Sequence, residues 1–303
     1  MKILTGFLAV LCLLAAPDDA WSKGKGKGFP FGLNSGARAE LIDAGLGKYV
    51  GQFSPVVSVD VGDGWTKHTF DPANGDGPIC IAGTPYSVFT KGQNPSRLLI
   101  MLQGGGACWD GFYNCNVLAE AQEPPPPPVG IWTDAFDTGG HKGYERNPLA
   151  GWSIVYMPYC DGSVFSGDNT VYDPAFGVAI KAPQAVFRFH RGLRNLTAGI
   201  DVAKSMFPNA RKIMVAGSSA GGVGAAAFAP FLTRFAYGNK VDLSVFNDAG
   251  PVAVNLLDVS AIQKRSADWL FGQFYPASCT ECDDQGQGTA IIKWRLDNDN
   301  SIR

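Results

Sequence analysis

Histidine is scarce in this chain: 303 residues contain three, His68, His141 and His190. Charge is also thin, at 17% of residues with a formal net charge of −2. There is no basic excess to neutralise a phosphate backbone, which argues against nucleic acid as a partner. Heptads, internal repeats and a strict glycine period are all missing, and 46% of residues are hydrophobic. Coiled-coil, collagen-like and disordered readings fail on those grounds. Long apolar runs are limited to one, Ile3 to Ala16, fourteen residues. A membrane span needs roughly 20. With Lys2 ahead of it and Ala15, Ala16 and Ala20 behind, the run reads as a secretory signal peptide over residues 1–20. The residue before Cys12 is Leu11, which does not suit a lipoprotein anchor, so no stable membrane attachment is expected. Residues 21–55, with Lys23-Gly24-Lys25-Gly26-Lys27-Gly28, read as a linker and N-terminal segment, and 56–303 as one domain.

Glycine and proline are plentiful, 38 and 20 residues, which points to tight loops and a loop-built site. Seven cysteines become six once Cys12 leaves with the signal: Cys80, Cys108, Cys115, Cys160, Cys279 and Cys282. An even number in an exported chain favours disulfides. Cys279 and Cys282 form C-x-x-C, but a zinc site would need two further ligands and no histidine follows them. The surrounding Ser-Cys-Thr-Glu-Cys-Asp-Asp does not open a helix after a strand, as a redox motif would, so a structural bridge is expected.

Residues 56–90 hold alternating patches, Val56 to Val61 and Thr66 to Phe70, broken by Asp-Gly and Gly-Pro, and read as short antiparallel strands. Four later runs do not alternate: Leu98 to Leu102, Ile154 to Met157, Ile213 to Val215, and Leu243 to Phe246. Such runs suit strands buried on both faces of a parallel sheet. Val186 to Phe207, Ala220 to Phe235, Val259 to Phe274 and a stretch around Thr289 to Leu296 read as helices. The expectation is an α/β domain whose mainly parallel sheet is flanked by helices. Pro124 to Pro128 mark a stiff surface loop.

The most informative segment is Ile213-Met214-Val215-Ala216-Gly217-Ser218-Ser219-Ala220-Gly221-Gly222. Gly217, Ser219 and Gly221 fit G-x-S-x-G, with an apolar run leading in and a small-residue helical stretch leading out. A nucleophile elbow requires that strand–turn–helix context, and it makes Ser219 the candidate nucleophile. The first buried strand ends at Gln103-Gly104-Gly105-Gly106-Ala107. Glycines there free the backbone to aim N–H groups at an oxyanion, with the Ala220 N–H as the complementary donor.

Leu102 to Cys115, Tyr159-Cys160-Asp161-Gly162-Ser163 through Ser166-Gly167-Asp168, Gly217 to Gly222, and Asn247-Asp248-Ala249-Gly250 together resemble the pectin acetylesterase / Notum family of carboxylesterases. The resemblance runs from about Val56 to the end of the chain. It implies an α/β-hydrolase-like fold and a Ser-His-Asp acyl-enzyme mechanism. It also implies removal of acetyl or other acyl groups from an ester substrate such as an acylated polysaccharide, without metal or organic cofactor. By position, Ser219 becomes the nucleophile, and Gly105, Gly106 and Ala220 line the oxyanion hole. The resemblance further implies bridges Cys108–Cys115 and Cys80–Cys160, leaving Cys279 with Cys282.

The chain departs from the pattern at the base. Hydrolase triads of this fold run Ser, Asp or Glu, then His, and all three histidines precede Ser219. The family's acid and histidine follow a further strand, expected just where Ile302-Arg303 ends the sequence. An incomplete C-terminus, with strands missing, is the simpler expectation, and a non-catalytic form the other. His190 reads as a packing or capping residue on a helix, His141 as solvated in a glycine loop, and His68 as a strand surface residue. Asp248 reads as a turn residue supporting the site. Asp161 and Asp168 read as either substrate-facing or turn-forming, and Asn195-Leu196-Thr197 is a glycosylation sequon. Three functions compete: a secreted polysaccharide acetylesterase, a deacylase of a lipidated substrate, and a ligand-binding pseudo-hydrolase.

Overall fold

A computed structural model describes residues 32–71, 76–117, 148–250, 258–282 and 288–302. Its strands are β1 (Val57–Gly62), β2 (Trp65–Thr69), β3 (Ser87–Lys91), β4 (Arg97–Leu102), β5 (Gly106–Trp109), β6 (Phe112–Cys115), β7 (Ser153–Met157), β8 (Asn169–Tyr172), β9 (Phe187–His190), β10 (Lys212–Ser218) and β11 (Asp242–Asp248). The helices are α1 (Ser35–Asp43), α2 (Pro174–Ala179), α3 (Gly192–Met206), α4 (Ala220–Ala226), α5 (Ala229–Tyr237), α6 (Val259–Trp269) and α7 (Thr289–Asn298).

The main sheet has the order β1-β2-β3-β7-β4-β10-β11. Its first four strands pair antiparallel, and β7, β4, β10 and β11 pair parallel. The parallel strands are the four non-alternating runs of the sequence. Val155, Ile100, Val215 and Val245 stand in one row across them. Alternate residues of these strands feed two cores. Leu98, Ile100, Leu102, Val155 and Ile213 pack with the helices, while Leu99, Met101, Ile154 and Tyr156 pack with Trp65, Phe89 and Trp152 on the other face. The β1–β2 hairpin turns at Asp63 and Gly64, both at positive φ (52° and 78°). That is the backbone demanded by a two-residue turn matched to strand twist, hence Asp-Gly.

Several boundaries differ from the sequence reading. Val186 to Phe207 is not one helix: Phe187–His190 pairs with β8, and α3 begins only at Gly192. The segment Phe-Arg-Phe-His alternates with period two, a pattern masked by the helical spacing of Leu193, Leu196 and Ile200 beyond it. Ala220 to Phe235 is two helices, the second with Pro230 in its first turn, where a missing N–H costs nothing. Val259 to Phe274 is α6 followed by a 3₁₀ turn at Phe271–Phe274, after Leu270 in the left-handed region. The packed unit also starts earlier than Val56, since Leu33, Ala37, Leu41 and Leu46 are buried in the helix-side core. The signal segment, Pro124 to Pro128 and His141 lie outside the described residues.

Candidate active site

β10 ends at Ser218 and α4 starts at Ala220, with Ser219 alone between them at φ 52°, ψ −119°. That conformation is sparsely populated for a residue with a side chain and costs on the order of 1–3 kcal/mol. It is over-determined by its neighbours. The Ser219 N–H donates to the Asp248 carbonyl at 2.8 Å, and the Ser219 carbonyl accepts from Val223 N–H at 3.1 Å. A Cβ on Gly217 would strike the Gly221 carbonyl, and one on Gly221 the Leu102 carbonyl. The elbow is thus closed by backbone against backbone, and Ser219 is left exposed while Ser218 is half-buried.

The glycine triplet lies alongside. A Cβ on Gly104 would sit 2.7 Å from the Ser218 carbonyl oxygen and 3.0 Å from Ser219 Cβ. Gly106 has φ 81° and abuts the Asn114 carbonyl. The Asn116 N–H donates to the Gly105 carbonyl at 2.9 Å, closing the β5–β6 hairpin over the triplet. Cys108–Cys115 staples that hairpin with a Cα–Cα separation of 5.6 Å. Ala220 opens α4, and first-turn amides have no acceptor within their helix. Gly106, Ser219 and Ala220 line one cavity, while Gly105 lies in the loop between Gly104 and Gly106.

The cavity has a volume of about 730 Å³. Val223, Ala227, Phe228, Ile262, Trp269 and Phe271 supply its apolar lining and share it with Ser219. Aromatic rings of the lining pack together: Trp109 stacks on Phe112 at 4.2 Å, meets Trp269 edge-on at 6.1 Å, and Trp269 lies 6.0 Å from Phe271. Val164 and Ser166 come from the Tyr-Cys-Asp-Gly loop, which Cys80–Cys160 ties to the body of the domain at a Cα–Cα separation of 4.9 Å. Cys279–Cys282 forms the third bridge.

Asp161 and Asp168 do not line the cavity; they shape the loop that does. Asp161 is fully buried and accepts from Ser163 N–H at 3.2 Å, Ser163 Oγ at 3.0 Å and Phe165 N–H at 3.1 Å. Those bonds hold Val164 and Phe165 at φ 51° and 61°. Burial pushes its carboxyl up to about 6, with the donors from Ser163 and Phe165 opposing. Burial also acts to raise Asp168, but Lys48 at 2.8 Å and Arg194 at 2.6 Å outweigh it and hold that carboxyl below its usual range.

A second charge cluster is not visible in the sequence. Arg188, fully buried on β9, bridges Asp173 at 2.8 Å and Asp268 at 2.7 Å. Asp268 also accepts from Asp110 N–H at 2.6 Å, and the Trp269 indole donates to the Cys108 carbonyl at 2.8 Å. The end of α6 is therefore fastened to the hairpin beside the glycine triplet. These partners are 15 to 161 residues apart. The sole hint in the sequence was an arginine inside an otherwise aromatic segment.

The histidines stand elsewhere. His68 is not on the surface: it is buried between Ser58 Oγ and Thr90 Oγ1, each at 2.9 Å. His190 receives Arg188 at Nε2 (2.8 Å) and donates from Nδ1 to the Asp161 carbonyl (3.2 Å). Burial and the adjacent Arg188 charge push it down to about 3, so it stays neutral and is a weak proton acceptor. No histidine among the described residues lines the cavity. Asp248 serves through its backbone carbonyl, as already noted. Asn195 is buried and clamps the Ile79 backbone with both side-chain atoms, which withdraws the sequon from modification in the folded chain. Among the described residues no group of three or more His, Cys, Asp or Glu is placed to hold a metal ion.

Comparison with known proteins agrees with this architecture. The family model for pectinacetylesterase matches residues 66–281. Pectin acetylesterase 11 and pectin acetylesterase 7 of Arabidopsis thaliana are each 29% identical over 157 residues. The matched stretch is 49% of this chain and 36% of either relative, so the chain spans only about a third of their length in common. With elbow, glycine triplet and Tyr-Cys-Asp-Gly loop all falling inside the matched residues, the chain belongs to the pectinacetylesterase family.

Proposed function

We propose that the protein is a secreted serine carboxylesterase that removes acetyl groups from a polysaccharide such as pectin. The observation that carries this reading is Ser219, held alone at φ 52° between β10 and α4 and open to a cavity that Gly106 and Ala220 also line. In the reaction, Ser219 Oγ attacks the ester carbonyl while a base takes its proton. The carbonyl oxygen becomes an oxyanion facing the amides of Gly105, Gly106 and Ala220; one such donor is typically worth about 3–4 kcal/mol. The C–O bond to the sugar then breaks, the base returns the proton to the leaving hydroxyl, and water releases acetate from Ser219 by the same steps. The base we assign is an imidazole oriented by a carboxylate. His68 and His190 are both committed to other partners. Export is supported by three disulfides, which persist in oxidising compartments.

A second reading has a specific observation in its favour. A cavity of about 730 Å³ walled by Val223, Phe228, Ile262 and Phe271 is far larger than an acetyl group needs. A longer acyl chain fits the same chemistry and the same nucleophile. The test is labelling with a fluorophosphonate and hydrolysis of p-nitrophenyl esters from acetate to octanoate. Ser219 should carry the label. Ser219→Ala should lose hydrolysis by about 10³-fold or more, while Ser218→Ala keeps much of it. Equal losses, or a label on another residue, overturn the assignment, and the chain-length profile separates the two readings.

A further inference from the structure

The β5–β6 hairpin carries an aromatic pair at its tip that the ester chemistry does not use. Trp109 and Phe112 flank Asp110-Gly111 and stack at 4.2 Å with an interplanar angle of 17°. Phe112 is 39% exposed, yet it lines the same cavity as Ser219. Trp109 covers one face of the Phe112 ring and is itself braced edge-on by Trp269. Phe112 is therefore the exposed member of a backed pair. Beside it, Asp110 and Lys264 form an exposed ion pair at 3.0 Å, and both line the cavity.

A backed aromatic face next to charged hydrogen-bonding groups has the chemistry of a pyranose subsite. The C–H face of a sugar ring is apolar and stacks on an aromatic ring, while its edge hydroxyls require donors and acceptors. Lys264 supplies a donor and Asp110 an acceptor. The cavity also presents apolar Val223, Phe228, Ile262 and Phe271, alongside polar residues such as Ser166, Ser260 and Arg265. The apolar residues suit an acyl group, and the Phe112 ring with its neighbouring ion pair suits the sugar. Resting on the esterase reading above, we infer that Phe112, backed by Trp109 and flanked by Asp110 and Lys264, is the stacking platform for a sugar ring of the acylated polysaccharide.

Two features make the platform a built one. Its backing ring is locked: Trp269, which braces Trp109, is pinned by its indole bond to the Cys108 carbonyl. The hairpin itself is closed by Cys108–Cys115 and held by Asp268 accepting from Asp110 N–H. A ring held in this way gives up little conformational entropy on stacking.

The experiment uses the Ser219→Ala protein, so that no turnover complicates binding, and a deacetylated oligogalacturonide as probe, read by titration calorimetry. Binding should be measurable. Adding Phe112→Ala should weaken it by about tenfold or more, the loss usual for truncating an aromatic anchor. Adding Phe112→Tyr instead, which keeps the ring, should restore it to within about threefold. Equal affinity with and without the ring, or no binding by any form, overturns the platform. Failure of the esterase reading is seen separately, as p-nitrophenyl acetate hydrolysis that survives Ser219→Ala. Ser219-dependent hydrolysis with no sugar binding would mean an esterase whose alcohol part is not a sugar, which also rejects this inference.

Discussion

Around Ser219 the contacts that fix the site are backbone against backbone. Ser219 is fixed by its own N–H on the Asp248 carbonyl, and Gly106 and Ala220 line the cavity beside it. Around Trp269 and the Tyr-Cys-Asp-Gly loop the contacts are made by side chains. Arg188 joins Asp173 to Asp268, Trp269 holds Cys108, and Asp161 shapes the loop that presents Val164. The backbone region tolerates no added atom, because glycines at 104, 106, 217 and 221 all lie against backbone or Ser219 Cβ. The side-chain region tolerates no lost charge, because its ions are buried in low dielectric. One region fails by crowding and the other by loss of a partner.

Breaking the side-chain region should give the largest loss of stability. Arg188→Met keeps much of the volume but leaves Asp173 and Asp268 buried without their cation. Urea denaturation should show a loss of about 3–5 kcal/mol. A loss below about 1 kcal/mol would mean that the cluster is not a structural unit.

Next in size is a pH effect that separates two carboxylates of the same loop. Asp161 titrates near 6 folded and near 3.8 as a free side chain, so the folded state holds its proton more tightly. That contribution is present below about pH 3.8 and is lost as pH rises through about 6, a change of about 3 kcal/mol. The stability of the native protein relative to Asp161→Asn should therefore fall between about pH 4 and pH 7. Asp168 has the opposite sign. Its lowered folded value gives stability that is present above the unfolded value and lost as pH falls through the folded one. Asp168→Asn should therefore narrow the difference from native protein on acidification. Parallel profiles for the two variants would show that the contrast is wrong.

Crowding the backbone region comes next. Gly106→Ala puts a Cβ against the Asn114 carbonyl at φ 81°. A cost of about 1–3 kcal/mol is expected, with kcat reduced more than KM because the oxyanion donors move. An unchanged kcat would remove Gly106 from the oxyanion assignment. The smallest effect should come from Trp269→Phe, which keeps a ring but deletes the donor to the Cys108 carbonyl. About 1 kcal/mol of stability is expected.

Glycine patterns were legible because they report on the backbone itself. Gly217, Gly221 and Gly104 to Gly106 stand where any Cβ collides, so residue type and geometry correspond one to one. Three of the four apolar runs were legible for a similar reason: β4, β7 and β10 are buried largely on both faces, and a single pattern satisfies both cores. Leu243 to Phe246 forms the edge strand β11 instead, where Leu243 is buried but Phe246 is 39% exposed. His68 misled because its environment comes from other strands, and His190, a packing residue as expected, stands on a strand rather than on the helix read for it. His68 sits between partners on β1 and β3, and His190 between a strand neighbour and the Asp161 loop. The partners of Asn195 were hidden in the same way, since only the fold places the Ile79 backbone against its side chain.

The sequence by itself therefore determined the elbow, the glycine triplet, the parallel strands and the three cysteine pairs once the family pattern was recognised. These features are local in the chain, or repeat a motif whose spacing is set by backbone sterics. Only the tertiary structure decided the Arg188–Asp173–Asp268 bridge, the burial of both described histidines, the split of Val186 to Phe207 into β9 and α3, and the Trp109–Phe112 face on the cavity. Each depends on groups that folding brings together from distant parts of the chain. Their interaction energy is set by burial and dielectric, which no local pattern records.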